Sequence, residues 1–154
     1  MILLHILWPT FAFVALVFAV WTTLLVQRLG HLRRSPPRRE DFATGAAATR
    51  YFEPVGLAGD NLRNLFELPV LFLALVPLLM GTRQAGIAQV LLAWIFVILR
   101  AVHSWLHIGN HVRARFRAYL ASTVVLSAMW LGFLIDFVAA AARYTAILDA
   151  AMKP

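Results

Sequence analysis

The chain has 154 residues, 62% of them hydrophobic and only 14% charged, and its mean hydropathy is +0.78. A soluble domain of this length cannot hide so much apolar surface, so composition excludes an ordinary globular enzyme and leaves one compact membrane domain over residues 1–154. The lack of cysteine excludes disulfides, thiolate metal sites and a cysteine nucleophile, while the net charge of +7 is distributed as membrane topology requires rather than as nucleic-acid binding would.

The first apolar run, Ile2 to Val26, is broken only by His5, Pro9 and the pair Thr22-Thr23. No basic residue precedes it and no small-residue cleavage site follows, which argues against a signal peptide. At ~1.5 Å per residue the run exceeds a ~30 Å hydrocarbon core, so helix 1 is expected to span, tilted, over about residues 2–26.

Residues 27–59 differ in kind. They carry Arg28, Arg33, Arg34, Arg38, Arg39 and Arg50, the pair Pro36-Pro37, and a small-residue stretch from Ala43 to Thr49. Two consecutive prolines end any helix and favour extended backbone, so a long polar connection is expected at or outside the membrane surface.

Helix 2 is expected over about residues 60–80, with Asp60 or Asn61 as N-cap and Gly81 as the stop. Pro69 and Pro77 fall inside it, which a membrane helix tolerates with a kink. The short turn Gly81 to Gly86 returns the chain antiparallel into helix 3, about residues 87–107. The basic stretch Arg113, Arg115, Arg117 then leads into helix 4, about residues 118–142. The expected fold class is an all-α, integral membrane four-helix bundle.

The two long connections hold nine Arg residues, against Arg83, Arg143 and Lys153 on the opposite side. By the positive-inside rule the basic connections are expected to be cytoplasmic and both termini on the other side. The Arg- and Ala-rich composition hints at a bacterium, hence an inner membrane. The five tryptophans, Trp8, Trp21, Trp94, Trp105 and Trp130, read as lipid-facing or belt residues.

Charges inside a span are expensive, so Glu67 and Arg100 draw notice. Each lies about 10 Å inside the basic end of its helix, at ~1.5 Å per residue. Equal depth on antiparallel neighbours suggests an ion pair, either as a clasp between helices or as the floor of a polar pocket. Asp60, Asn64 and Glu67 fall at helical spacing on one face, as do Arg100, His103, Ser104, His107 and His111 on the next helix. Two such faces either line a cavity suited to an anionic ligand with an apolar tail, or merely cap the bundle among the headgroups. His103, His107 and His111 share a face at metal-ligand spacing, but carboxylates are sparse and no metal site is expected. Asp136 reads as an interfacial or intersubunit hydrogen-bonder.

The stretch Asp60-Asn-Leu-Arg-Asn-Leu-Phe-Glu-Leu-Pro resembles the helix 2 signature of the MAPEG family, the membrane-associated proteins in eicosanoid and glutathione metabolism. The match lies in Asn64, Glu67 and Pro69, with Pro closer to Glu than in the eicosanoid enzymes. Arg100-Ala-Val-His-Ser-Trp-Leu-His107 resembles the helix 3 signature that opens on an intramembrane Arg. Four spans and the basic loops extend the resemblance over nearly the whole chain.

The resemblance implies a homotrimer of four-helix subunits with glutathione bound between neighbours at the cytoplasmic side. Carried over, Asn64, Glu67 and Arg100 match directly, and Arg63, His103 and Ser104 join them as candidate glutathione contacts. Arg113, Arg115 and Arg117 are candidates for the Arg that stabilises the thiolate, with His107 or Ser104 as hydrogen-bond donor. Two positions depart. Asp60 stands where the glutathione-binding enzymes carry Arg, and His107 stands where they carry Tyr, so the pattern looks closer to a bacterial branch than to the eicosanoid synthases. The expected function is a glutathione-dependent transferase or peroxidase acting on a hydrophobic electrophile. The alternative is a non-catalytic membrane protein of the same fold that binds a lipid or a protein partner. Transport fits less well, because neither an inverted repeat nor a pair of broken helices is evident.

Overall fold

The computed structural model describes residues 2–152, which leaves Lys153 of the charge count outside the described residues. Helices account for nearly all of them. A 3-10 turn, Ile2–Ile6, runs into α1, Leu7–Arg34. Pro9 falls in the first turn of α1, where proline is best tolerated in a helix.

α1 continues eight residues past the apolar run, so Arg28, His31, Arg33 and Arg34 ride on helix rather than on loop. Ser35 closes it, its N–H donating to the His31 carbonyl at 2.9 Å, and Pro36-Pro37 forbids continuation. The connection that follows is folded. After a 3-10 turn, Arg39–Phe42, Thr44 Oγ1 accepts from the Ala47 N–H at 3.1 Å and starts α2, Gly45–Tyr51. A further 3-10 turn, Glu53–Val55, enters α3, Leu57–Phe66. The segment docks on the end of α1 through aromatic contacts: ring centroids lie 4.8 Å apart for His31–Tyr51 and 6.1 Å for His31–Phe52. The Arg28 guanidinium stacks over Phe52 at 4.9 Å, and the Tyr51 hydroxyl donates to the Ser35 carbonyl. Desolvation, with help from the Asp41 carboxylate, raises the Tyr51 pKa and keeps that donor protonated.

The second span is two helices. α3 ends at Phe66, and α4 covers Val70–Gly81. Pro69 has no N–H to give the Leu65 carbonyl and its ring blocks the preceding turn, so the break falls over Glu67, Leu68 and Pro69 instead of a kink. Tight i→i−3 bonds, Val70 N–H to Glu67 and Leu71 N–H to Leu68, bridge the break before α4 continues. Pro77, by contrast, is carried within α4. The start also differs from the sequence expectation: α3 begins at Leu57, so neither Asp60 nor Asn61 is its cap.

At the far turn Arg83 adopts a left-handed backbone (φ 60°), and the Gln84 N–H closes back on Leu79 at 2.8 Å. α5, Ile87–Ile108, returns to the basic end. The turn Gly109-Asn110-His111, with Asn110 left-handed (φ 57°), passes into α6, Val112–Ala151, six residues earlier and nine later than the apolar run indicates. α5 and α6 form the most extensively packed pair.

The core is apolar and centred on Phe13, Phe72 and Phe96, whose rings meet at 4.9–6.1 Å. Outside it, large side chains such as Phe18, Ile98, Val124 and Leu131 are exposed along four helical segments long and apolar enough to cross a membrane. Trp8, Trp21, Trp94 and Trp105 are among these exposed groups, whereas Trp130 is partly buried against the core. This is an all-α integral membrane four-helix bundle.

Candidate functional site

Spacing at i, i+3, i+4 and i+7 puts Arg100, His103, Ser104 and His107 on one face of α5, and all four are buried. His111 does not continue the face. The chain has already turned at Gly109, and His111 is exposed at the cap of α6.

Arg100 is fully buried. Its Nη2 donates to the Asn64 backbone carbonyl at 2.9 Å, and its Cζ lies 5.7 Å from the Tyr119 ring centroid. The expected Glu67–Arg100 ion pair does not form. Glu67 is the exposed C-cap residue of α3, turned off the helical face by the break, and the Arg63–Asp60 contact at 3.7 Å is the one ion pair among the described residues. A carbonyl at a helix C-terminus takes the role given to the carboxylate.

The hairpin of α5 and α6 brings Arg115 back over the histidines. His103 Nδ1–H donates to the Arg115 carbonyl at 2.9 Å. His107 Nε2 lies 3.2 Å from Asn64 Nδ2 and 3.4 Å from Arg115 Nη1. An Arg can only donate, so Nε2 accepts and the ring proton sits on Nδ1. His107 Nε2 is therefore an acceptor toward Asn64 and Arg115, while its ring proton on Nδ1 has no partner among the described residues.

Beside these groups opens a cavity of about 460 Å³ lined by Asn64, His103, His107, Val112, Arg113, Arg115, Phe116 and Tyr119. It is apolar on one side and cationic on the other, a combination suited to an anionic head with an apolar companion. Of the three candidate Arg residues, Arg113 and Arg115 line it and Arg117 does not. Ser104 is buried outside the lining, and Arg100 stands behind Asn64 and Tyr119. Arg63 belongs elsewhere: with Arg28, Arg50 and Asp60 it borders a larger cavity of about 650 Å³ between α1, α2 and α3. Among the described residues no group of three His, Asp or Glu could share a metal ion.

Sequence reasoning missed two residues. Tyr119 lies four residues after Arg115 on the same face of α6, a relationship visible only once that helix is known to begin at Val112. Asn61, three residues before Asn64, is completely buried inside α3 and is not its cap.

A family model for the MAPEG family matches residues 6–135, which includes all four spans and the cavity. The chain belongs to the MAPEG family. No curated protein and no solved structure matches it. MAPEG proteins are generally associated with glutathione, and in this MAPEG chain the basic end of the bundle carries the cationic cavity.

Proposed function

We propose that this MAPEG protein binds glutathione in the cavity beside His103 and His107 and promotes its addition to a hydrophobic electrophile. The observation that carries the reading is the pairing, in one cavity, of Arg113 and Arg115 with the apolar lining of Val112, Phe116 and Tyr119. When bound, glutathione supplies a thiol whose deprotonated sulfur attacks the electrophilic atom of the apolar partner.

The chain's own groups have distinct tasks in this reading. Arg113 and Arg115 attract carboxylates, and Arg115 stabilises negative charge that develops near the histidines. Because the His103 Nδ1–H is engaged by the Arg115 carbonyl, Nε2 is the ring atom left to take a proton. Asn64 Nδ2 and Arg115 hold the His107 ring in one orientation. Glu67 supports assembly with neighbouring copies, in keeping with the trimer expected from the family. A carboxyl group exposed beside a break in a span is costly against lipid, and a second copy gives it a polar partner.

One observation favours the second reading, a non-catalytic protein of the same fold. The Asp60 carboxylate engages Arg63 at 3.7 Å and adds negative charge beside a basic surface. Calorimetric titration of the detergent-solubilised protein with glutathione separates the two. Saturable binding that is lost in Arg115→Ala and kept in Arg117→Ala supports the first reading. Absence of binding to folded protein removes glutathione and leaves a lipid or protein ligand.

A further inference from the structure

α6 is longer than a bilayer requires: its 40 residues rise roughly 60 Å at ~1.5 Å each, against a ~30 Å hydrocarbon core. Gln89, the third residue of α5, donates from Nε2 to the Met129 carbonyl at 3.0 Å, so Met129 stands level with the far end of α5. Beyond Phe133, every α6 residue and Met152 after it, 134 to 152, is exposed. The family match stops at residue 135, so this extension is an addition to the shared bundle.

The extension is patterned. Val138, Ala141, Thr145, Leu148 and Met152 alternate at spacings of three and four, while Asp136 and Arg143 lie on the opposite side. Alternation of three and four keeps one seam turned toward a like helix. Past the far membrane surface such a stripe meets water unless something covers it. Folding down onto the lipid would need a break, and residues 133–151 contain neither Gly nor Pro and run as unbroken helix. Copies inserted in one membrane share direction and depth, so identical positions meet at the same height.

We propose that the α6 extension pairs with the same segment of neighbouring copies, forming a parallel helical seam beyond the far face of the membrane. The proposal is independent of what the cavity binds.

The chain has no cysteine, so single substitutions report cleanly. Leu148→Cys, on the seam, and Ala146→Cys, on the opposite side, are made in the full-length protein and oxidised with copper phenanthroline in the native membrane. A disulfide needs Cα atoms within about 7 Å. The seam predicts several-fold more covalent dimer from Leu148→Cys than from Ala146→Cys, with Ala141→Cys behaving like Leu148→Cys. Equal yields at the two positions, or no dimer from Leu148→Cys, would overturn the proposal.

Discussion

Arg100 donates from Nη2 to the backbone carbonyl of Asn64 at 2.9 Å, three residues before the break that Pro69 imposes on the second span. A broken helix in hydrocarbon must have its freed backbone groups satisfied by neighbours. A cation at a helix C-terminus also meets the negative end of the helix dipole. The charge on α5 and the discontinuity between α3 and α4 therefore stabilise each other. Losing a hydrogen bond from a charged donor costs about 1.5–3 kcal/mol, and Arg100→Leu is expected to cost that much in thermal unfolding in detergent. In a Pro69→Ala background, where a continuous helix can reclaim the carbonyls, the same change should cost about 1 kcal/mol less. An undiminished cost in the double variant would mean that Arg100 acts by some route other than the break.

Much of the bundle was legible because hydrocarbon imposes length and polarity with little context: the apolar runs mark all four spans, and the buried face of α5 follows from spacing alone. Glu67 shows where that reasoning stops. Counting residues puts it at the depth of Arg100, but depth is only half of position. Three non-helical residues change the rotational phase and turn the side chain outward. Pro69 was visible, yet whether it bends or breaks a span depends on a donor, Arg100, 36 residues from the carbonyl it satisfies, which pattern does not reveal. The folding of the first connection onto α1 was equally hidden, because aromatic contacts among His31, Tyr51 and Phe52 leave no periodic trace.

Arg115 and Arg117 are two residues apart yet differ in access to the cavity. Arg115→Ala should weaken glutathione binding about tenfold or more, equivalent to at least ~1.4 kcal/mol. Arg117→Ala should leave it nearly unchanged. Calorimetry on both variants, with thermal unfolding to confirm the fold, checks the distinction; equal losses would point to bulk charge attraction alone.

Gly132 makes room for Gln89. A Cβ there would sit 3.2 Å from Gln89 Nε2, the atom that donates to Met129. Gly132→Ala is expected to displace that amide and to destabilise by about 1 kcal/mol. Combining it with Gln89→Leu should add little further loss, because the displaced bond is already gone. Unfolding midpoints of the three variants test this.

Asn110 holds a left-handed backbone at φ 57°, which Asn accepts more readily than a β-branched residue. Asn110→Gly should be close to neutral. Asn110→Val should cost roughly 1–2 kcal/mol and weaken ligand binding as well, since this turn sets the height of Arg115 over His103. A valine variant with unchanged stability and affinity would show that the turn has another low-energy form.

Mechanically, the basic end is a stiff fork closed by a jointed bar. Two walls of the cavity, His103 with His107 and Arg113 with Arg115, stand on prongs joined by the short Gly109–His111 turn and cannot part far. The third wall, Asn64, stands on α3, which meets α4 at the break over residues 67–69 and shares the core with it through Leu65. Widening the cavity on that side thus pulls on two latches at once, Asn64–His107 and Arg100–Asn64, which hold α3 against α5.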